Sequence, residues 1–159
     1  MNPQASTTVS HGLNGLWQLR HMEKTTVQGA VSHPFGAHPL GYLFYSDDGF
    51  MFAVLMDRNR APVKVSLEEL GQAKQRKMLW RWKYLKALFR YLQAATACIA
   101  YFGLYEVKGD RVIHHVRASL FPDWIGTDLE RAFAMSGQAV RLTAHYPNGD
   151  RLELAWERA

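Results

Sequence analysis

The sequence predicts an all-β (mainly) chain: eight antiparallel strands closing into an up-and-down barrel, with one long helix inserted between strands 3 and 4. Three observations carry this. Apolar and polar residues alternate with a period of two through eight short runs. Tight turns rich in Gly, Asp and Asn join the last five runs, as at Lys108-Gly109-Asp110 and Pro147-Asn148-Gly149. Only one stretch, from Ser66 to about Ala95, spaces its apolar residues as a helix does.

The first strand follows Gly15 and sets Trp17, Leu19 and His21 on one face against Leu16, Gln18 and Arg20. Gly29 to Pro39, rich in Gly, Pro and His, reads as a loop. A hairpin follows, with two aromatic and aliphatic runs around Ser46-Asp47-Asp48-Gly49, where Gly49 can take a positive φ. Ser66 and Glu69 form a capping box at the start of the helix. Met78, Trp82, Leu85, Phe89 and Leu92 fall on one helical face, which is expected to be the core-facing stripe. The remaining strands are Ile99–Val107, Arg111–Ser119, Asp128–Met135, Val140–Tyr146 and Asp150–Glu157. An open sheet wrapped on the helix is the alternative to a barrel. Closure is favoured because no strand carries the proline or inward lysine that blunts an exposed edge.

Residues 1–12 read as a disordered lead, and 13–159 as one domain long enough to bury a substantial core. The lead has no charged start followed by an apolar run, so it is not expected to be a secretory signal. The single cysteine, Cys98, cannot form an intrachain disulfide, and a cytoplasmic location is expected. The net charge of +5 is concentrated in one segment. Lys74, Arg76, Lys77, Arg81, Lys83, Lys86 and Arg90 lie between Gln72 and Gln93 with no acidic residue among them, and the rest of the chain is slightly acidic.

Several stretches resemble the small bacterial and fungal lipocalin-like domain family. Gly15-Leu16-Trp17 matches the GxW signature of lipocalins. Pro39-Leu40-Gly41 with Tyr45, Asp48-Gly49, Tyr101, Gly103, Tyr105-Glu106-Val107, the run from His114 to Thr127, and Arg131 extend the likeness over most of residues 13–158. The chain departs from that family in its longer, more basic helix. The resemblance implies an eight-stranded barrel with a ligand-sized interior. It fixes no ligand, and some barrels of this type serve as cyclases or isomerases in natural-product pathways, so fold does not settle function.

Strand alternation sorts the candidate site residues. Glu106 should face water, which turns Tyr101, Gly103, Tyr105 and Val107 inward. His114 shares the more apolar face of its strand, and Arg131 the face opposite Glu130. Polar and aromatic groups facing into a barrel are what a binding cavity needs and what a filled core avoids. The ligand-binding candidates are therefore His21, Tyr45, Met51, Tyr101, Tyr105, His114, Trp124 and Arg131. His114, Tyr105 and Tyr101 are the candidates for moving a proton. Trp17 with Arg158 is the candidate barrel floor, an arginine packing on the floor tryptophan through a cation–π contact. Arg131 could fill that role instead, so a structural and a ligand-anchoring reading of it both stand. His114 could likewise be a core histidine bonded to a tyrosine. Trp124 reads as a plug over a barrel end or a lid over its mouth, with the plug preferred.

No nucleophile elbow, phosphate loop or dinucleotide fingerprint is present in the sequence, and no cofactor is expected. His114 and His115 point to opposite faces and cannot share a metal, so none is expected. The basic helix, residues 72–93, with the outward Phe102 and Leu104, could serve as a homodimer surface or touch an acidic membrane. Nucleic acid is a poor fit because no recognition motif accompanies the charge. Three functions follow as expectations: a binding protein for a small, largely apolar molecule bearing an oxygen or carboxylate; a cyclase or isomerase of a polyketide-like intermediate; or an interaction module working through the basic aromatic helix.

Overall fold

The computed structural model describes residues 12–78 and 80–159. The expected lead lies almost wholly outside the described residues. The chain divides into two compact units, one running to Arg58 and resuming at Ile99, the other Asn59–Cys98.

The first unit is a closed barrel. Its strands are β1 (Gly15–Thr25), β2 (Val31–Ser32), β3 (Leu40–Tyr45), β4 (Phe50–Met56), β5 (Cys98–Lys108), β6 (Arg111–Ser119), β7 (Asp128–Ser136), β8 (Ala139–His145) and β9 (Arg151–Arg158). They pair in the order β2-β1-β3-β4-β5-β6-β7-β8-β9, and β1 also pairs with β9, which closes the wall. The strand unforeseen in the sequence is β2, two residues of the Gly29–Pro39 loop that pair with Lys24 and Thr25 of β1. Eight strands therefore form the barrel, and β2 rides on the far half of β1. Closure leaves no long exposed edge, which matches the lack of edge defences.

Two irregularities set which side chains face in. The pairing of β1 with β9 slips between Leu19 and His21. A β-bulge inserts one residue and reverses the alternation beyond it. Trp17 and Leu19 are buried before the bulge, and Met22 after it. His21, expected inward with Trp17, is consequently turned outward, with its side chain 42% exposed. The second slip lies between Phe102 and Gly103, in the pairing of β5 with β6. There a Cβ on Gly103 would stand 2.1 Å from the His115 carbonyl oxygen, so only glycine lets the two backbones approach.

One end of the barrel is sealed. Trp17 is fully buried and its indole Nε1 donates to the Leu13 carbonyl at 2.6 Å. The Arg158 guanidinium lies over the Trp17 ring, 4.4 Å from its centroid, and donates to the carbonyls of Asn14 and Gly12, each at 2.8 Å. Gly15 explains the glycine of the GxW pattern: its φ is +117°, and a Cβ there would meet the guanidinium at 2.6 Å. Arg158, not Arg131, is thus the arginine over Trp17.

The second unit holds α1 (Leu67–Gln75) and α2 (Trp82–Thr96) where one helix over 66–95 is expected. The Ser66 hydroxyl caps α1 by accepting from the Glu69 amide at 3.0 Å. The helix then ends in a Schellman motif: Lys77 N donates to Lys74 O, Met78 N donates to Ala73 O, and Lys77 takes a left-handed φ of 55°. A lysine in the position that usually selects glycine gave the sequence no stop signal. The expected stripe is also reversed. Trp82, Phe89 and Leu92 are exposed, while Ala87 is buried and Tyr84 and Tyr91 pack with Val65 and Leu70. The Tyr91 hydroxyl donates to Val65 O, Arg90 to Pro62 O, and Lys83 pairs with Glu69 at 2.6 Å, so part of the basic face is engaged within this unit. Among the described residues, no helix is long and apolar enough to cross a membrane.

Candidate functional site

Above the sealed floor the barrel interior keeps a cavity of about 90 Å³. Its wall is mostly aliphatic, with Met22, Leu43, Leu55, Leu142 and Leu154 among the lining residues. Set into that wall are the polar-tipped side chains Tyr101, His114, Arg131, Tyr146 and Trp156, with Trp124 beside them. Each strand delivers its residue by alternation: Tyr101 from β5, His114 from β6, Arg131 from β7, Trp156 from β9.

His114 is 1% exposed and bonded at both ring nitrogens. The Tyr45 hydroxyl lies 2.7 Å from Nε2, and the Tyr101 hydroxyl 2.9 Å from Nδ1. Burial first, then the Coulombic influence of Arg131 and of His115, lowers the His114 pKa to about 3, so the imidazole is neutral near pH 7. A neutral imidazole donates from one nitrogen and accepts at the other. Tyr45 is fully buried, and His114 is its hydroxyl's partner among the described residues, so its proton must go to Nε2. The ring proton then sits on Nδ1 and is donated to the Tyr101 oxygen. The Tyr101 proton is left over, on a ring that lines the cavity. Burial raises the pKa of Tyr45 well above the usual tyrosine value and that of Tyr101 as well, so both stay protonated donors.

The site's other donors are incompletely satisfied. Arg131 donates through Nη1 to its neighbour's carbonyl, Glu130 O, at 2.8 Å, and makes no ion pair among the described residues. Trp156 is 2% exposed, and its Nε1 is buried with no hydrogen-bond partner among the described residues. An unsatisfied buried donor costs about 1–3 kcal/mol. Among the described residues, the cavity wall is therefore rich in donors and carries no carboxylate.

The profile of the lipocalin-like domain family matches residues 14–159. The chain belongs to the lipocalin-like domain family. Among solved structures, it is similar to a lipocalin-like protein from Bacteroides uniformis, at 12% identity and a TM-score of 0.45, over 92% of this chain and 98% of that one. A redesigned β-barrel aligns at 11% identity and a TM-score of 0.43, covering 98% and 99% of the two chains. A protein from Bacteroides eggerthii aligns at 13% identity and a TM-score of 0.43, over 90% and 98%. No curated protein matches the sequence.

Within this lipocalin-like barrel, Tyr101, His114, Trp124 and Arg131 come together at the cavity, with Tyr45 immediately behind His114. Trp124 ends the short 3₁₀ turn Pro122–Trp124 between β6 and β7 and meets the Tyr101 ring edge-on, 5.8 Å between centroids. That connection lies at the end opposite Trp17, so Trp124 belongs to the mouth and not to the floor. Tyr105 and Met51 face inward at the floor end and do not line the cavity. The Tyr105 hydroxyl is 2.6 Å from Asn14 Oδ1 and 2.9 Å from Ser46 O, its proton thereby engaged, and Met51 is buried opposite Tyr45. His21 stands outside, near Glu23 and His33. Met22 and Trp156 were missed in the sequence. The Leu152, Leu154, Trp156 alternation on the last strand was the signal for the second; nothing local signalled the bulge that turns Met22 inward.

Proposed function

We propose that this lipocalin-like barrel binds a small, largely apolar molecule by an oxygen-bearing head, with a carboxylate the best match. The observation that carries this reading is the leftover proton of Tyr101 beside the guanidinium of Arg131. A hydroxyl donor and a cation with no carboxylate partner among the described residues suit a carboxylate or a carbonyl oxygen. Trp156 Nε1 offers a third donor on the same wall. The aliphatic lining suits the ligand's tail. A cavity of about 90 Å³ is smaller than the ~150 Å³ that holds benzene in an engineered protein cavity. The space as it stands takes a short chain or the narrow end of a longer one.

Calorimetric titration with hexanoate and with 1-hexanol tests this. Hexanoate is expected to bind more tightly. Arg131→Met should weaken hexanoate about 10- to 100-fold, as losing a hydrogen bond to a charged group does, and should leave 1-hexanol nearly unchanged. Tyr101→Phe should weaken both. Equal affinities for the acid and the alcohol, both indifferent to Arg131→Met, would overturn the reading.

The same donors favour a second reading, a cyclase or isomerase in which Tyr101 and Arg131 stabilise the oxyanion of an enolised ketone. His114, with its pKa near 3, is too weak a base near pH 7 to take the substrate proton. Its part there would be to orient Tyr101. Turnover of a ketone substrate, lost in Tyr101→Phe, would separate this reading from simple binding.

A further inference from the structure

We propose that His21, Glu23 and His33 form a site for a divalent transition-metal ion on the outer surface of the barrel, with zinc the best-matched ion. The bulge that expels His21 from the interior places it on the same outer face as Glu23, two residues along β1. β2 pairs antiparallel with β1 at Lys24↔Ser32, so the next rung sets His33 opposite Glu23. One ligating atom from each of the three lies within 4.8 Å of the other two. His21 Nε2 and Glu23 Oε2 are 3.4 Å apart, and the two imidazole rings meet edge-on with centroids 5.2 Å apart.

Tetrahedral zinc, with bonds of about 2.0–2.2 Å, holds its ligands roughly 3.4 Å from one another. The His21–Glu23 pair is already at that spacing, and the remaining distances, none above 4.8 Å, need close by no more than about 1.4 Å. Side chains this exposed can make that movement. His33 is also set in the right tautomer. Its Nδ1 lies 3.3 Å from the Met22 carbonyl oxygen, which can only accept. Nδ1 therefore carries the proton, and Nε2 presents its lone pair, the outer-shell arrangement that orients metal-binding histidines. The segment bearing His33 is anchored just beyond it: Phe35 is 5% exposed in the barrel core, and the Gly36 amide donates to His33 O at 3.0 Å.

Two imidazoles and one carboxylate suit zinc, copper and nickel better than calcium or magnesium, which prefer all-oxygen sites. Three protein ligands leave a fourth position open to water. Bound metal would tie β2 and its loop to β1 without touching the cavity.

Titration calorimetry with zinc chloride on the full chain, free of any affinity tag, is the test. One equivalent of zinc is expected to bind. His21→Ala and Glu23→Gln should each weaken it at least tenfold, and the zinc-induced rise in Tm should vanish with them. His38→Ala, in the same loop but outside the cluster, should change neither. Glu23→Gln is isosteric and keeps the test valid if His21→Ala fails to fold. Absence of saturable binding at one equivalent, or unchanged affinity in Glu23→Gln, overturns the proposal.

Discussion

Trp17→Ala is expected to destabilise the barrel by about 3–5 kcal/mol, the range for removing a buried aromatic side chain. Three losses combine at this position. The fully buried indole leaves a void at the sealed end, and the Leu13 carbonyl loses its donor at 2.6 Å. The Arg158 guanidinium, 4.4 Å from the ring centroid, loses the face it rests on. Native stabilities are only about 5–15 kcal/mol, so a loss of this size takes away a large part of the total. Trp17→Phe retains a ring beneath Arg158 and should cost less. Urea unfolding measures both variants. A change below about 1 kcal/mol in Trp17→Ala would contradict a floor closed by this residue.

Lowering the pH from 7 to 4 is expected to remove on the order of 3 kcal/mol through His114 alone. The histidine titrates near its ordinary 6.5 in the unfolded chain and at about 3 in the native barrel. Between those values the unfolded state binds a proton that the native state refuses. Stability therefore falls as pH drops through this window, by about 1.4 kcal/mol per unit, and is fully retained above it. The groups responsible are the burying wall, Arg131 and His115, with Tyr45 and Tyr101 bonded to the ring. His114→Gln can accept from Tyr45 and donate to Tyr101 without titrating. Urea unfolding of the two proteins at pH 7 and pH 4 isolates the effect, because the surface carboxylates are common to both. The variant should lose less stability than the parent on acidification; equal losses would contradict a histidine kept neutral by its surroundings.

The barrel was legible because its cause is local. Period-two alternation and glycine turns are written into each strand, and the Gly15–Trp17 pattern marks a floor whose arginine must pass where a Cβ would stand. Tyr101, His114 and Arg131 were legible for the same reason: one charged or polar neighbour on each strand, such as Glu106 or Glu130, fixed the opposite face as inward. Alternation gives the side of the wall but not the height along it. Alternation alone puts Tyr105 and Met51 with the cavity, whereas both belong to the floor.

The other misses come from features without a local signature. The slip between Leu19 and His21 depends on the pairing with β9, far away in sequence. The break after α1 rests on Lys77 in a left-handed conformation that composition does not announce. The helical stripe failed differently. Two apolar faces were present on α2, and burial chose the smaller one, around Ala87, Tyr84 and Tyr91.

On the proposed function, the cavity receives an anionic head between Tyr101 and Arg131. A crystal structure of the protein grown with hexanoate tests it most directly. The expected result is a carboxylate within hydrogen-bond distance, about 3 Å, of the Tyr101 hydroxyl and of the Arg131 guanidinium, with the chain lying along Leu43, Leu55 and Leu154. A cavity left without hexanoate at saturating concentration, or a molecule bound with its carboxylate turned away from both groups, would contradict it.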